Sequence, residues 1–409
     1  MKGIRVTSEI APLKKVLLHR PGKELLNLTP DTLGRLLFDD IPFLKVAQAE
    51  HDAFAKILRD NGAETVYLED LMAEVIKDPV IKEKFLDQWI EEADIKNEVL
   101  KPVVKEYLLN NFKDEKELVM KTIEGIQTKE LEIPSNSLMA LIEAEQGEEN
   151  LVVDPMPNTY FTRDPFGSVG SGACLNRMFS VTRNRETIYA DYIFNYHPDF
   201  AGLVERWYNR DAKYHMEGGD ILNINKEVLA IGISQRTQAE AIEELAHNIL
   251  FNEKADVKTI LAINIPVSRA FMHLDTVFTQ IDYDKFTVHP GILGVSLHVY
   301  EITRKGDDIA VKELEGELAD ILTPYVGRPV KLLPCGNGDP IAAEREQWND
   351  GSNTLCIAPG KIVVYERNDV TNAYLTEQGL DLKIMPSAEL SRGRGGPRCM
   401  SMPLIRDEL

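Results

Sequence analysis

Val228-Leu-Ala-Ile-Gly-Ile-Ser234 decides the fold class. The run is short, apolar and bounded by polar residues, the pattern of a strand covered on both faces. Directly after it, Thr237-Gln-Ala-Glu240 reads as a capping-box helix start, and Ala239, Ile242, Leu245 and Ile249 recur at helical spacing. A second apolar run at 257–265 predicts another strand. Strand, helix, strand is the unit of an α/β fold. The alternation continues outward in both directions. Upstream, Lys15-Val-Leu-Leu-His19 reads as a strand closed by Arg20-Pro-Gly22. Ala47, Phe54 and Leu58 mark a helix face ending at the C-cap signature Asn61-Gly62, and Thr65-Val-Tyr-Leu68 is the next strand. Downstream, 291–299 and 361–365 read as strands and 311–322 as a helix.

One interval breaks the pattern. From about 71 to 147 the chain turns Lys/Glu-rich with helical periodicity: Phe85, Trp89 and Ala93 share one face, and Leu118, Thr122 and Ile126 another. Pro102 and Pro134 mark breaks between helices. The sequence therefore predicts a catalytic α/β part over 1–70 and 148–409, interrupted by an α-helical insertion over 71–147. Polar motifs at 161–164, 217–220, 273–275 and 350–353 follow strand ends, which predicts repeated modules presenting functional groups at one rim.

Composition narrows the function. The chain has 409 residues, with 46 Lys and Arg against 66 Asp and Glu, a net charge of −20. Phosphate-backbone binding needs clustered basic residues, so nucleic acid is excluded as a partner, and an RGG-like reading of the arginines at 392–398 fails on the same balance. No stretch is long and apolar enough for a membrane span, and the first residues lack the apolar run of a signal peptide. Four well-separated cysteines (Cys174, Cys335, Cys356, Cys399) give neither a zinc spacing nor a disulfide framework, and fit a reducing cytoplasm. The closing Arg406-Asp-Glu-Leu409 is read as a chance likeness to a retention signal.

The chemistry centres on Ser391-Arg-Gly-Arg-Gly-Gly-Pro-Arg-Cys-Met-Ser-Met-Pro403, a glycine-rich loop that delivers Cys399 between Arg394 and Arg398. Flanking positive charge predicts a thiolate. Arg398 itself is expected to point to solvent. His273-Leu-Asp275, read as strand, would turn imidazole and carboxylate to one face, which makes His273 the candidate base. Glu217-Gly-Gly-Asp220 sets two acids around glycines that allow close backbone approach. In Phe161-Thr-Arg-Asp164, the cheapest reading of Arg163 is a local pair with Asp164. A thiol protease needs no such surplus of acids. Several carboxylates around a thiol suit a cationic substrate, and guanidinium is the planar, permanently charged candidate. The rival reading is a metal site, with His215/Glu217 and His273/Asp275 as ligand pairs, which leaves the cysteine without a role.

These motifs resemble one family. Phe-Thr-Arg-Asp-Pro at 161–165, His-Met-Glu-Gly-Gly-Asp at 215–220, His-Leu-Asp-Thr at 273–276 and the Gly-Arg-Gly-Gly-Pro-Arg-Cys-Met-Ser-Met-Pro of 393–403 look like those of the arginine deiminases, as do 15–22 and Leu36-Leu-Phe-Asp-Asp40. The resemblance implies a five-module pseudo-symmetric α/β propeller with an inserted helical domain, in a cytoplasmic homo-oligomer. It implies hydrolysis of L-arginine to L-citrulline and ammonia, with water as co-substrate and neither metal nor organic cofactor. It implies Cys399 as nucleophile, His273 as general acid and base, and Asp164 and Asp275 as holders of the guanidinium. Glu217 would orient His273, with Asp220 beside it at the substrate. Asn158, Arg183 and Arg236 would take the α-carboxylate, Phe161 would lie along the substrate, and Arg394 would sit in a mobile gate. A sister hydrolase of agmatine or methylated arginine is the alternative, against which the two carboxylate-binding arginines argue.

Overall fold

The computed structural model describes residues 1–133, 138, 142, 151–267, 270–293 and 297–409. The expected break at Pro134 and the boundary at 147–148 lie outside them. The fold class is α/β.

Five sheets repeat one plan, an antiparallel pair of strands followed by a third strand parallel to the second. Ile221–Asn225 pairs antiparallel with Val228–Ile233, and Thr259–Asn264 then joins in parallel after the helix Ala239–Leu250. Phe166–Val169, Gly172–Leu175 and Glu205–Tyr208 repeat it, with the helix Thr187–Tyr196 in the crossover. Phe278–Gln280, Lys285–Val288 and Lys331–Pro334 do so again, as do Leu355–Ala358, Lys361–Tyr365 and Asp381–Met385. In the fifth sheet the antiparallel partner comes from the far end of the sequence: Met402–Arg406 lies against Leu13–Leu18, which is parallel to Glu64–Tyr67. Short apolar strands such as Val228–Ile233 and Thr259–Asn264 are buried almost throughout, as their sequence requires.

Several local expectations change. The helix after Val228–Ile233 has Gln238 as N-cap and no side-chain cap, because the Thr237 hydroxyl is committed to the Asp220 carboxylate instead. The strand expected at 291–299 begins only at His298; a 3-10 turn, Pro290–Ile292, precedes it. The helix expected at 311–322 is a strand, Asp308–Leu314, followed by a helix, Leu318–Val326. Together His298–Lys305 and Asp308–Leu314 form a hairpin on the edge of the third-strand side of their sheet.

In the Lys/Glu-rich stretch, helices among the described residues include Leu68–Val75, Pro79–Glu92, Leu100–Asn110 and Glu115–Glu124. Pro102 stands in the first turn of Leu100–Asn110, where its missing N–H has no helical partner to lose, so it starts a helix instead of breaking one. Ile126 lies beyond its expected helix, in the short strand Ile126–Gln127. Phe85, Trp89, Val104 and Leu118 are buried in one core with Tyr189 and Tyr192 of the helix Thr187–Tyr196. Among the described residues no helix is long and apolar enough to cross a membrane.

The polar motifs precede strands; they do not follow them. Asp164 stands just before Phe166–Val169, Glu217 and Asp220 before Ile221–Asn225, His273 and Asp275 before Phe278–Gln280, and Cys399 before Met402–Arg406. Asp350 to Asn353 hold the same place before Leu355–Ala358. Each is carried into the first strand of a sheet, a rigid mount for a side chain.

Candidate active site

The pre-strand loops meet around a narrow cavity. Cys399, His273, Asp164, Asn158, Phe161, Arg183, Arg236 and Arg394 line it, together with Asp39, Met272 and Thr276. Eight of the eleven expected site residues therefore share one wall. Glu217, Asp220 and Asp275 stand behind it.

Cys399 is buried with its loop pinned from both sides. Its N–H donates to Asn353 Oδ1 at 3.1 Å, and its carbonyl accepts from the Arg163 N–H at 3.1 Å. The glycines of the loop are steric necessities: a Cβ on Gly395 would lie 2.2 Å from the Phe161 ring. The thiol sits 3.7 Å from Asp275 Oδ2. Burial pushes its pKa well above the ordinary value, and the Asp275, Asp164 and Asp350 carboxylates push it further, with Arg398 opposing. The expected arginine-favoured thiolate is therefore reversed: three acids outweigh one arginine. Arg398 does not reach solvent either. It is 1% exposed and donates to Asp275 Oδ2 (2.7 Å), Glu9 Oε2 (3.2 Å) and the Ile221 carbonyl (2.8 Å).

His273 is the N-cap of a short helix, Leu274–Val277, so the strand-face argument for His273 and Asp275 does not hold. What holds the ring is Glu217, whose Oε2 lies 2.7 Å from His273 Nε2. Burial opposes the imidazolium, but the Asp164, Glu217 and Asp220 carboxylates overcome it and push the pKa up to about 9. Burial also opposes the Glu217 carboxylate, yet Arg236, His273 and Arg183 hold its pKa far below the usual range. The pair is thus imidazolium and carboxylate. Glycines admit it: a Cβ on Gly218 would fall 2.0 Å from the Arg163 carbonyl oxygen, and one on Gly219 would fall 2.7 Å from the His273 ring.

Asp220, expected at the substrate, serves the scaffold. Its Oδ2 accepts from the Thr237 and Ser234 hydroxyls (2.6 and 2.7 Å) and its Oδ1 from the Leu274 N–H (2.8 Å). It ties the loop of Arg236 to the loop of His273. Even so, burial lifts its pKa to about 6.

Asp164 Oδ2 accepts from Arg183 Nη1 at 3.1 Å, and its Oδ1 is buried without a hydrogen-bond partner. Burial raises its pKa. Arg163 makes no pair with Asp164: its guanidinium is buried and its Nε donates to the Arg398 carbonyl. Arg183 is committed to acids, since Nε and Nη2 go to Glu186 at 3.0 and 2.9 Å. Arg236 is freer: its Nη1 lies 3.5 Å from Glu217 Oε2, while Nε and Nη1 make no hydrogen bond. Asn158 Nδ2 donates to the Leu36 carbonyl. Arg394, in left-handed backbone at φ 61°, stacks its guanidinium 3.6 Å from the Trp348 ring centroid.

The metal reading loses its pairs. His215 Nδ1 binds the Arg236 carbonyl, and the donors that do cluster, Asp164, Glu217 and His273, fall within 4.8 Å of one another. His273 is held protonated beside Glu217, so its ring offers that cluster no lone pair for a metal ion. Sequence reasoning missed Asn353, which also donates from Nδ2 to the Asp275 carbonyl at 3.1 Å and so joins the loops of Cys399 and Asp275. Its pre-strand position is the signal that marks it. Glu9 and Glu186 were missed as well, and no local pattern marks either.

Three comparisons bear on the chain. A family model described as arginine deiminase matches residues 34–406. The arginine deiminase of Treponema denticola is 59% identical over 413 residues and that of Clostridium perfringens 55% over 414, with 100% of this chain and at least 99% of each relative aligned. That of Streptococcus agalactiae is 53% identical over 408 residues, covering 99% of this chain and 98% of the relative. Among solved structures, a dimethylarginine dimethylaminohydrolase adduct with S-methyl-L-thiocitrulline is 13% identical with a TM-score of 0.51, covering 95% of this chain and 99% of that one. A DDAH mutant from Pseudomonas aeruginosa, complexed with citrulline, is 14% identical with a TM-score of 0.51, covering 96% and 99%. At such identity the likeness is one of fold.

Proposed function

The chain belongs to the arginine deiminase family, and from that premise we propose that it hydrolyses L-arginine to L-citrulline and ammonia, as the first step of arginine catabolism by the deiminase route. One observation carries the reading. A buried thiol shares its cavity with an imidazolium and Asp164, with Asp275 directly behind the sulfur, and each aspartate has one oxygen lacking a hydrogen-bond partner.

Cys399 is the nucleophile. Its thiol is neutral while the site is empty, because burial and three acids disfavour the anion. A bound guanidinium, held by Asp164 and Asp275, supplies the missing positive charge and lowers the thiol pKa where the thiolate is needed. The thiol proton leaves to solvent as substrate binds, and the thiolate attacks the guanidinium carbon. His273, already protonated, passes its proton to the departing nitrogen, which leaves as ammonia; an S-alkylthiouronium stays on Cys399. His273, now neutral, takes a proton from water as the oxygen bonds to that carbon. Collapse breaks the C–S bond, the hydroxyl proton passes to the departing sulfur, and citrulline leaves with the neutral thiol restored. Glu217 keeps Nε2 of the ring oriented throughout. No step calls on a metal or organic cofactor.

Arg236, with unpartnered buried donors, is the main anion site for the α-carboxylate, aided by Asn158, and Arg183 adds its positive charge from its place on Asp164 Oδ2. That anion site favours a free amino acid over agmatine. Phe161 lines the alkyl stem and Arg394 gates the mouth. Five sheets of one plan support the five-module propeller, with the catalytic part at 1–70 and 148–409 and the helical insertion at 71–147. A cytoplasmic homo-oligomer, with no nucleic-acid or membrane partner, completes the reading.

The test is citrulline and ammonia release from L-arginine, wild type against Cys399→Ala, with EDTA present. Equimolar products that vanish only in the variant support it. Turnover of agmatine or methylarginine in place of arginine would move the chain to a sister specificity.

A further inference from the structure

Both aspartates assigned to the guanidinium are built the same way, from unrelated segments. Asp164 Oδ2 accepts from Arg183 Nη1, and Arg183 donates its other edge to Glu186. Asp275 Oδ2 accepts from Arg398 Nη1, and Arg398 donates Nε to Glu9. In each chain acid, arginine and acid are all buried, and the aspartate's Oδ1 is left without a partner. The outer acids reach their places differently: Glu186 is three residues from Arg183, whereas Glu9 is 389 from Arg398.

Charge explains why the outer acid is there. A buried aspartate facing an arginine alone is neutralised, and the pair has little attraction left for a cation. A buried aspartate with no arginine would take up a proton. A second acid behind the arginine resolves both: the arginine fixes Oδ2 of the aspartate, while the three groups keep one net negative charge. Asp164 then offers its unused Oδ1 at the cavity wall and Asp275 its own from just behind it, with charge left over for a guanidinium. Glu9 has further counter-charges in Arg163 and Arg406, and its carboxyl is held low, at about 2, against the effect of burial.

We propose that Glu9 and Glu186 are positioning residues for the deiminase reaction: through Arg398 and Arg183 they orient the two guanidinium-binding aspartates and keep the empty site negative. This rests on the assignment of Asp164 and Asp275 to the guanidinium. The same negative charge holds the Cys399 thiol protonated, because Asp275, Asp164 and Asp350 face the sulfur and only Arg398 among its main charged neighbours opposes them. Removing an outer acid therefore has two opposite effects, weaker substrate binding and a more acidic thiol. Loss of packing alone would not acidify the thiol.

The experiment uses Glu9→Gln, Glu9→Asp and Glu186→Gln in the full chain. Steady-state kinetics with L-arginine are paired with the pH dependence of Cys399 alkylation by iodoacetamide, read by peptide mass. For each Gln variant the expected KM rise is about tenfold, the scale of one charge-assisted contact, with a smaller change in kcat. The alkylation profile is expected to move down by about one pH unit as the local potential becomes more positive. Glu9→Asp keeps the charge and is expected to keep the wild-type thiol profile. Should Glu9→Gln not fold, Glu186→Gln decides the matter alone. An unchanged KM, or a raised KM with an unmoved alkylation profile, overturns the proposal. Alkylation of Cys399 that leaves turnover intact sinks the nucleophile assignment instead, and the thiol shift stays readable.

Discussion

Asp350 pairs a left-handed backbone, φ 59°, with a buried carboxyl whose Oδ2 has no partner. Burial lifts its pKa to about 7, against the pull of Arg394 and with Asp275 and Asp39 adding to the rise. A raised acid binds its proton more tightly in the folded state, so it costs nothing below pH 4 and costs progressively more as pH climbs towards 7. Asn tolerates the same backbone and carries no charge. Asp350→Asn is expected to be more stable than wild type by about 1 kcal/mol or more at pH 8, with the gain gone near pH 4, by urea unfolding at both pH values. Equal stabilities at pH 8 would sink it. At this scale the sequence was most informative about residues that announce a chemistry: Cys399, His273, Asp164 and Glu217 stand in motifs whose residue types state their use. It misplaced Arg398 in solvent, because solvent or burial depends on Glu9, far away in sequence, and nothing within a window around 398 encodes that partner. It misjudged the thiol for the same reason, since adjacent arginines are visible in sequence and converging aspartates are not.

Between elements, His19 ties the end of Leu13–Leu18 to the start of the helix Leu68–Val75: Nδ1 lies 2.8 Å from Glu69 Oε2, and Nε2 lies 3.4 Å from Glu24 Oε1. Burial disfavours the charged ring, yet Glu69 and Glu24 raise its pKa to about 10. Its stabilisation is therefore full below the unfolded pKa of about 6.5 and fades as pH rises through 10. His19→Gln is expected to cost about 3 kcal/mol at pH 6, shrinking as pH approaches 10, by chemical denaturation. A pH-independent loss would assign His19 to packing alone. Gly218→Ala tests another junction: with a Cβ 2.0 Å from the Arg163 carbonyl, the loop carrying Glu217 has to move. At least a hundredfold fall in kcat/KM is expected, because Glu217 sets the His273 ring; near-normal kinetics would show that the loop yields. Strands and helices with strong periodicity were readable, as 239–249 was. The edge hairpin was not. Val311 is 52% exposed, so the edge strand lacks the apolar alternation of a covered one, and its Leu/Glu spacing mimics a helix. The available signal was Gly306-Asp307, a two-residue turn with φ 65° at the glycine.

Over the whole molecule, a net charge of −20 surrounds a site built for a cation. Such a field concentrates L-arginine at the mouth and is screened by salt. kcat/KM is expected to fall about twofold to fivefold between roughly 10 and 300 mM NaCl, while alkylation by neutral iodoacetamide stays flat; equal salt responses would show that salt perturbs the site itself. The alternation of strand and helix was legible in the sequence and the repeat of one sheet plan only hinted at, because the five copies share geometry and not residues. The pairing of Met402–Arg406 with Leu13–Leu18 has a further consequence during synthesis. That sheet waits for its antiparallel strand until Arg406 has left the ribosome, and Cys399 arrives just ahead of that strand. A nascent chain that has passed Asp275 but not Cys399 carries the acids without the thiol, so on the proposed chemistry competence arrives in a single closing event.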